Sequence, residues 1–296
     1  MVNRKLGSLD LILVTGASGH VGGATLRKLR SLGVETVAMA RDAEAARRRL
    51  PSGTAIRVAD YEDSPALRRA FTGADQIILV SSDGDARAVM RHHANAISAA
   101  AEAGPSRIVF MSIVDIDAES PFYYAPVYRD AERRLAASGV PSTILRCGLY
   151  SDFIFDHWLK PAVETGEVLL PAGQGPVAPI SREDVASAIV AIATRPGASG
   201  RNYAVTGHRA LTLDEVVAAF SEVVGRQMRY SLSPRSDYLA WAWAHLEDPW
   251  PHAFSTLCES IGEGRFGHVS NDFAELLGRE PESLSQYLRR SFCAGD

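Results

Sequence analysis

The glycines at positions 16, 19 and 22 have the spacing of a phosphate-binding loop between a strand and a helix. Gly16 allows the tight turn, Gly19 lets backbone N–H groups approach a pyrophosphate, and Gly22 lets the helix pack on the strand. The apolar run 11–15 predicts the strand, and the helix is expected over 21–31 with its positive end toward the anion. The predicted phosphate-binding residues are Gly16, Ala17, Ser18, Gly19, His20, Val21 and Gly22.

The residue that follows the second predicted strand lies beside the adenosine ribose and decides which nucleotide fits. Arg41 occupies this place, and its planar guanidinium suits a 2′-phosphate, which predicts NADP(H) as the cofactor. If the register shifts by one residue, Asp42 would instead accept hydrogen bonds from the ribose. Asp60, after the third predicted strand, is a candidate for the adenine amino group, with a capping or loop carboxylate as the alternative.

Short apolar runs alternate with longer helical stretches, which is typical of a parallel sheet covered by helices. Strands are predicted at 34–40, 55–59, 76–80, 107–111 and 142–146, and helices at 42–50, 64–71, 86–103 and 120–138. Because crossovers in such sheets are right-handed, the fold class is α/β, a doubly wound parallel Rossmann sheet. Its ligand crevice is expected at the carboxyl ends of the strands.

A change of pattern after residue 147 predicts a second unit. Aromatic residues cluster at 150–158, and glycines and prolines over 166–179 indicate loops. We expect a dinucleotide-binding domain over 1–147, with the sheet rejoined by about 176–205, and a smaller substrate-binding lobe from 148–175 and 206–296. Helices are predicted from a cap at Ser181 to about residue 194, and at 213–224, 237–246 and 273–277 in the lobe.

Composition excludes several classes of protein. The net charge of −4 gives no electrostatic footprint for nucleic acid. The three cysteines lie far apart, which indicates neither disulfides nor a zinc site, and the adjacent His92 and His93 do not converge on one metal. Since no apolar run has the length of a signal or membrane span, we expect a cytoplasmic monomer or homodimer with a small apolar or aromatic substrate.

Eight segments spread along the chain form a recognisable set, at residues 16–22, 41, 59–61, 79–82, 111–112, 144–151, 264–266 and 277–284. Together they resemble the NmrA-like atypical short-chain dehydrogenases, and within them the NADPH-dependent quinone oxidoreductase and triphenylmethane reductase group. The resemblance covers most of the chain and implies a Rossmann fold with NADP(H). The residues that it places along the cofactor are Tyr61, Val80, Ser81, Ser82, Cys147, Gly148, Tyr150 and Ser151. The group typically has Asn at the position of Cys147.

The wider superfamily often uses a tyrosine and a lysine four residues later, where the lysine lowers the pKa of the tyrosine. Tyr124 keeps the first place, but Tyr128 stands where the lysine belongs, and Pro126 between them is expected to disturb the helix. Ser112 matches the carbonyl-binding serine, with a loop cap as the alternative. The resemblance therefore implies Tyr124, Tyr128 and Ser112 as candidate catalytic residues.

The weakness of this catalytic set favours acceptors that take a hydride readily, such as quinones and conjugated dyes. The leading interpretation is an NADPH-dependent oxidoreductase for a flat conjugated acceptor, quinone-like or an aromatic ketone. The alternatives are a non-catalytic NADP(H) sensor and a redox-neutral isomerase or cyclase. Tryptophans 241, 243 and 250 fit a lid or dimer contact as well as a substrate wall. The predicted substrate residues, with lobe core as the alternative, are Tyr150, Phe153, Trp158 and Phe266.

Overall fold

A parallel sheet of seven strands forms the centre of the computed structural model, which describes residues 11–195, 198 and 200–293. The strand order is β3-β2-β1-β4-β5-β6-β8. Successive strands are added on one side of β1 up to β3 and on the other side from β4 onward, and this change of side leaves a crevice at the carboxyl ends of β1 and β4. This order confirms the predicted doubly wound α/β fold. The strands are β1 (Ile12–Val14), β2 (Thr36–Ala40), β3 (Ala55–Val58), β4 (Gln76–Leu79), β5 (Arg107–Ile113), β6 (Ser142–Cys147), β7 (Glu167–Leu170), β8 (Asn202–Val205) and β9 (Arg229–Leu232).

Helices connect the strands, and carboxylates or hydroxyls that accept backbone N–H bonds begin several of them, including Asp85, Ser181 and Thr212. None of the described helices is both long and apolar enough to cross a membrane. A π-helical turn at Phe155–Leu159 follows α6. The helices are α1 (His20–Ser31), α2 (Ala43–Arg49), α3 (Ser64–Phe71), α4 (Ala86–Ala103), α5 (Ala125–Ala137), α6 (Ser151–Ile154), α7 (Arg182–Thr194), α8 (Leu213–Val224), α9 (Arg235–His245), α10 (Trp250–Gly262), α11 (Asp272–Leu277) and α12 (Leu284–Cys293).

The apolar core has three parts. On one face of the main sheet, α1 and α7 contribute side chains such as Leu26 and Ile189, and on the other face α3, α4 and α5 contribute side chains such as Phe71. A third cluster, with Phe220 at its centre, joins the segments after β6 to α8, α10 and α12. Burial on both faces explains why the strand sequences are continuously apolar. The third cluster supports the structure above the carboxyl ends of β5 and β6.

The structure differs from the sequence predictions in several places. The predicted loop 166–179 contains β7, which pairs with β9 in a separate parallel pair, a contact too distant in sequence to leave a local signal. Helices α10 and α12 were not predicted. Helix α5 begins at residue 125 rather than 120 because Ser120 forms a turn, donating to Asp115 and accepting from the Phe122 N–H. Helix α11 packs on α7 and β8 rather than in the lobe.

Strand β8 pairs in parallel with β6 and so returns the chain to the main sheet. The two ends of the predicted units, residues 1–10 and 294–296, lie outside the described residues.

Candidate active site

The glycine loop has the geometry of an anion cradle. Gly16 has φ +58°, a left-handed conformation that favours glycine. A Cβ on Gly22 would lie 2.3 Å from the carbonyl oxygen of Gly16, so α1 can approach the loop this closely only with glycine there. Gly19 precedes α1, no side chain caps this helix, and its first turn has no acidic residue. The N–H groups at the start of α1 are therefore available to a phosphate.

Arg41 lies at the rim of the cleft beside this loop, immediately after β2. Asp42, the alternative for the ribose role, does not line the cleft, and its Oδ1 caps α2 by accepting from the N–H groups of Glu44 at 2.8 Å and Ala45 at 3.1 Å. These backbone bonds lower the pKa of Asp42. Of these two residues, Arg41 is the one that lines the cleft.

Asp60 and Tyr61 line the cleft at the end of β3. Oδ1 of Asp60 accepts from the backbone N–H of Glu62 at 2.9 Å. One oxygen of this carboxylate therefore stabilises the loop, as the alternative interpretation predicted. The hydroxyl of Tyr61 donates to the carbonyl of Val80 at 2.7 Å, and burial raises the pKa of this phenol. Tyr61 therefore braces the end of β4 and stays neutral.

Two serines at the end of β4 are each paired with a histidine of α4. Ser81 Oγ lies 2.7 Å from Nε2 of His93, and Ser82 Oγ lies 2.8 Å from Nδ1 of His92. The other ring nitrogen of His92 contacts Glu62 at 3.0 Å. Burial lowers the pKa of His93 to about 4, so this imidazole is neutral near pH 7. The adjacent histidines thus hold the hydroxyls of two serines that line the cleft.

The two predicted tyrosines have different surroundings. Tyr124 precedes α5 and donates its hydroxyl to the carbonyl of Gly84 at 2.5 Å. Tyr128, one turn later, lies beside Ser81 and packs on the ring of His93 at 5.5 Å between centroids. Burial raises the pKa of both phenols, that of Tyr128 to about 12. Both hydroxyls therefore remain protonated at neutral pH.

The helix around these tyrosines is regular, so the expected disturbance by Pro126 is wrong. Pro126 lies in the first turn of α5, where its missing N–H would have no intrahelical partner. Neither Lys28 nor Lys160 lines the cleft, and Lys28 pairs with Glu183 at 3.0 Å instead. Among the described residues no ammonium group replaces the lysine of the wider superfamily.

Ser112 is almost fully buried, and its hydroxyl donates to Oε1 of Glu132 at 2.7 Å. The same carboxylate accepts from Arg146 at 3.0 and 2.6 Å. The serine hydroxyl thus belongs to an ion pair beneath the cleft. Its predicted contact with a substrate carbonyl requires this bond to break.

The end of β6 forms the far part of the cleft floor. Cys147 is buried, and burial raises the pKa of its thiol to about 12. The hydroxyl of Tyr150 lies 3.5 Å from Sδ of Met111, and the guanidinium of Arg182 lies 5.2 Å above the Tyr150 ring. Gly148 also lines the cleft. This part of the floor therefore presents neutral, mostly apolar groups under one cation.

Beyond Tyr150 the cleft has an aromatic wall. Phe153 packs against Phe254 of α10 at 5.1 Å between ring centroids, and Phe122 packs against Phe266 at 5.9 Å. Of the four predicted substrate residues, Tyr150, Phe153 and Phe266 line the cleft, whereas Trp158 is buried in the lobe core. Wall residues that the sequence did not predict are Phe122, His157, Arg182, Leu246, Ala253, Phe254 and Leu257. The apolar spacing within α10 was the available signal for several of them.

Most predicted cofactor residues line one continuous cleft of about 820 Å³. Two do not: Ala17 is fully buried with its N–H 3.4 Å from the Met39 carbonyl, and Ser151 is fully buried where α6 begins. The residues that the structure brings together are Gly16, Ser18, Gly19, His20, Val21, Gly22, Arg41, Asp60, Tyr61, Val80, Ser81, Ser82, Ser112, Tyr124, Tyr128, Cys147, Gly148 and Tyr150.

Helix α10 is attached to the sheet by buried polar contacts. The carboxylate of Asp115, just after β5, accepts from the hydroxyls of Ser120 and Ser260. The N–H of Tyr123 donates to Oγ1 of Thr256 at 3.0 Å. These bonds hold the aromatic wall at a fixed distance from the floor of the cleft.

The strand order and glycine loop define a Rossmann dinucleotide-binding protein. A family model described as NAD(P)H-binding matches residues 16–196, and the chain belongs to this family.

Quinone oxidoreductase 2 of Escherichia coli is 31% identical over 95% of this chain and 99% of its own length. The structure of an Escherichia coli NADPH-dependent quinone oxidoreductase with NADPH is similar, with TM-score 0.89, 28% identity, and coverage of 95% of this chain and 99% of that chain. The triphenylmethane reductase of Citrobacter sp., solved with NADP(H), has TM-score 0.87, 26% identity and the same two coverages. The resemblance inferred from sequence is confirmed.

The negative transcriptional regulator NmrA shares the fold, with TM-score 0.77 over 97% of each chain at 17% identity.

Proposed function

We propose that this protein is an NADPH-dependent oxidoreductase that reduces flat conjugated acceptors of the quinone class. The observation that carries the proposal is the continuity of the cleft, in which a dinucleotide cradle and an aromatic wall meet at the ends of β5 and β6. Such a shape would allow an aromatic acceptor to stack against the nicotinamide end of a bound dinucleotide. The names of the bacterial relatives, a quinone oxidoreductase and a triphenylmethane reductase, support the same class of reaction.

The residues of the cradle fit the phosphates of NADPH. The start of α1 would hold the pyrophosphate, because its N–H groups have no side-chain cap. Arg41 would hold the 2′-phosphate with its planar guanidinium, and Asp60 would lie near the adenine. When bound, NADPH supplies the hydride that reduces the acceptor.

Neutral groups surround the place where acceptor and nicotinamide would meet. Cys147 and Tyr128 both have pKa values raised to about 12 by burial, so neither is ionised near pH 7. Tyr128 can therefore donate a hydrogen bond to the acceptor oxygen, while the Tyr124 hydroxyl already donates to Gly84. Reduction of a quinone also takes a proton, which solvent supplies through the open cleft. Orientation by the wall, more than strong acid catalysis, is the main contribution of the protein.

The test is NADPH oxidation with a panel of quinones such as menadione and phenanthrenequinone, followed by the loss of nicotinamide absorbance. We expect quinone-dependent oxidation that is faster with NADPH than with NADH at equal concentration. Tight NADPH binding with no oxidation by any quinone or dye of the panel would contradict the proposal.

A second candidate is a non-catalytic NADP(H) sensor. The observation that favours it is the absence, among the described residues, of a lysine in the cleft, together with the engagement of the Tyr124 hydroxyl by Gly84. A sensor would bind NADPH by calorimetry, oxidise none of it, and retain a protein partner only in one redox state of the nucleotide.

A further inference from the structure

Arg182 is the one cation in the acceptor half of the cleft, among the residues that the structure describes. It is the first residue of α7, and its guanidinium lies over the ring of Tyr150. No carboxylate lines this half, since the acidic residues of the cleft, Asp60 and Asp83, follow β3 and β4 at its nucleotide end. A guanidinium in an otherwise neutral aromatic cleft is an unusual and costly arrangement.

The protein gives this guanidinium little compensation. Its nearest carboxylate oxygen, Oδ1 of Asp152, lies 3.9 Å away, too far for a hydrogen bond. The other oxygen of Asp152 accepts from the backbone N–H of Arg182 at 2.9 Å. The Arg182 side chain is only 23% exposed, and its guanidinium donates no hydrogen bond to any of the described residues. Apart from the Tyr150 ring and this distant carboxylate, the described residues give the guanidinium no partner, so its N–H groups remain free to bind a ligand.

Arg182 lies closer to the aromatic wall than to the proposed binding places of the nucleotide phosphates. Its charge contributes to the lowered pKa of His157, for which burial is the larger cause. His157 in turn packs on Phe153 at 4.7 Å and on Phe254 at 5.5 Å, both in the aromatic wall. In the proposed function, the start of α1 and Arg41 already account for the pyrophosphate and the 2′-phosphate.

We propose that Arg182 forms an anion subsite, and that the preferred acceptors are flat conjugated molecules bearing a carboxylate, sulfonate or phosphate group. The ring of such a molecule would lie against Phe153 and Phe254, and two of its anionic oxygens would accept a bidentate pair from the guanidinium. The inference rests on the proposed function for the statement that the acceptor is a flat conjugated ring. What is new is that the ring carries a negatively charged substituent.

A binding experiment on the protein saturated with NADP⁺ tests the subsite without turnover. Naphthalene-2-sulfonate and naphthalene-2-sulfonamide are matched in shape and differ in charge. We expect the sulfonate to bind at least about tenfold more tightly by calorimetry, a difference of about 1.4 kcal/mol, because hydrogen bonds between charged groups are stronger than those to a neutral group. In Arg182→Gln this preference should disappear, and in Arg182→Lys a part should remain because a point charge replaces the fork.

Arg133→Gln is the matched control, because it removes the same charge from a side chain that is 77% exposed and lies outside the cleft. It should keep the preference of the wild type. Equal affinity for the two ligands in the wild type would overturn the proposal, as would an unchanged preference in Arg182→Gln. A rise in the Kd of NADP⁺ in Arg182→Gln with the preference intact would assign the guanidinium to the nucleotide instead.

The outcomes separate this inference from the proposed function. If quinones are reduced but charge makes no difference to binding, only the anion subsite is wrong. If the sulfonate preference holds and no quinone or dye is reduced, the subsite stands and the proposed reaction is wrong. Binding of the sulfonamide to Arg182→Gln shows that the variant is folded.

Discussion

The two halves of the cleft are built in different ways. The nucleotide half uses backbone groups and side chains that directly follow successive strands, such as Gly16 after β1, Arg41 after β2 and Asp60 after β3. The acceptor half brings together Phe122 and Phe254 from segments far apart in the sequence. One half therefore depends on local backbone geometry and the other on packing. We expect substitutions to separate nucleotide binding from acceptor binding.

The largest expected effect is that of Gly22→Val. Its Cβ would lie 2.3 Å from the Gly16 carbonyl oxygen, so the loop or α1 must move. We expect NADPH affinity to fall by more than about a hundredfold, since the loss of several charged hydrogen bonds costs more than 2.7 kcal/mol. Calorimetric titration with NADPH measures this change.

Arg27→Val is the matched control, because it introduces the same side chain at an exposed position of α1 that does not line the cleft. Its loss of affinity should be much smaller. Equal losses in the two variants would show that the distance between α1 and the loop is not what matters.

Arg41→Gln comes next and concerns the choice of nucleotide. Loss of a charge-assisted pair with the 2′-phosphate should raise the KM of NADPH by about 10- to 100-fold. The KM of NADH should change little, so the ratio of the two is the measurement. Arg47→Gln, on the exposed side of α2, is the control for net charge. If the KM of NADPH and the KM of NADH rose by the same factor, Arg41 would not be a ligand of the 2′-phosphate.

Phe254→Ala tests the acceptor half. Its ring packs on Phe153 and Trp250 and lines the cleft. Removing it should raise the KM of a flat quinone by about tenfold, as expected for a lost aromatic contact and its buried area. The KM of NADPH should stay within about twofold. A large rise in the KM of NADPH would mean that the two halves are coupled and would break the comparison.

The smallest effects are expected at the two tyrosines, where the halves meet. Tyr128→Phe should lower kcat for quinones by about tenfold, the cost of one hydrogen bond. Tyr124→Phe should lower it less, because the lost bond is to the Gly84 carbonyl. Single-turnover rates with excess NADPH compare the two variants. A hundredfold loss in Tyr124→Phe would return the role of proton donor to Tyr124.

Local patterns were sufficient for most of the sheet and for the nucleotide end. The glycine spacing, the residue after β2 and the alternation of apolar runs are properties of neighbouring residues, because strand ends and helix starts are set by backbone geometry. Helix α4 was predicted at 86–103, where the structure has it. Strand β7 and helix α10 were not predicted, since pairing partners and helix-packing faces depend on contacts distant in sequence.

The sequence by itself determined a Rossmann fold with a phosphate loop and an arginine suited to a 2′-phosphate, because these features need only a short stretch of chain. It also drew attention to Ser112 and Trp158. The tertiary structure decided that Ser112 donates to Glu132 and that Trp158 is in the core. It also decided that α10 and Arg182 line the cleft. The physical reason is that the direction in which a side chain points depends on how distant elements pack. Residue types and their spacing carry no information about that packing.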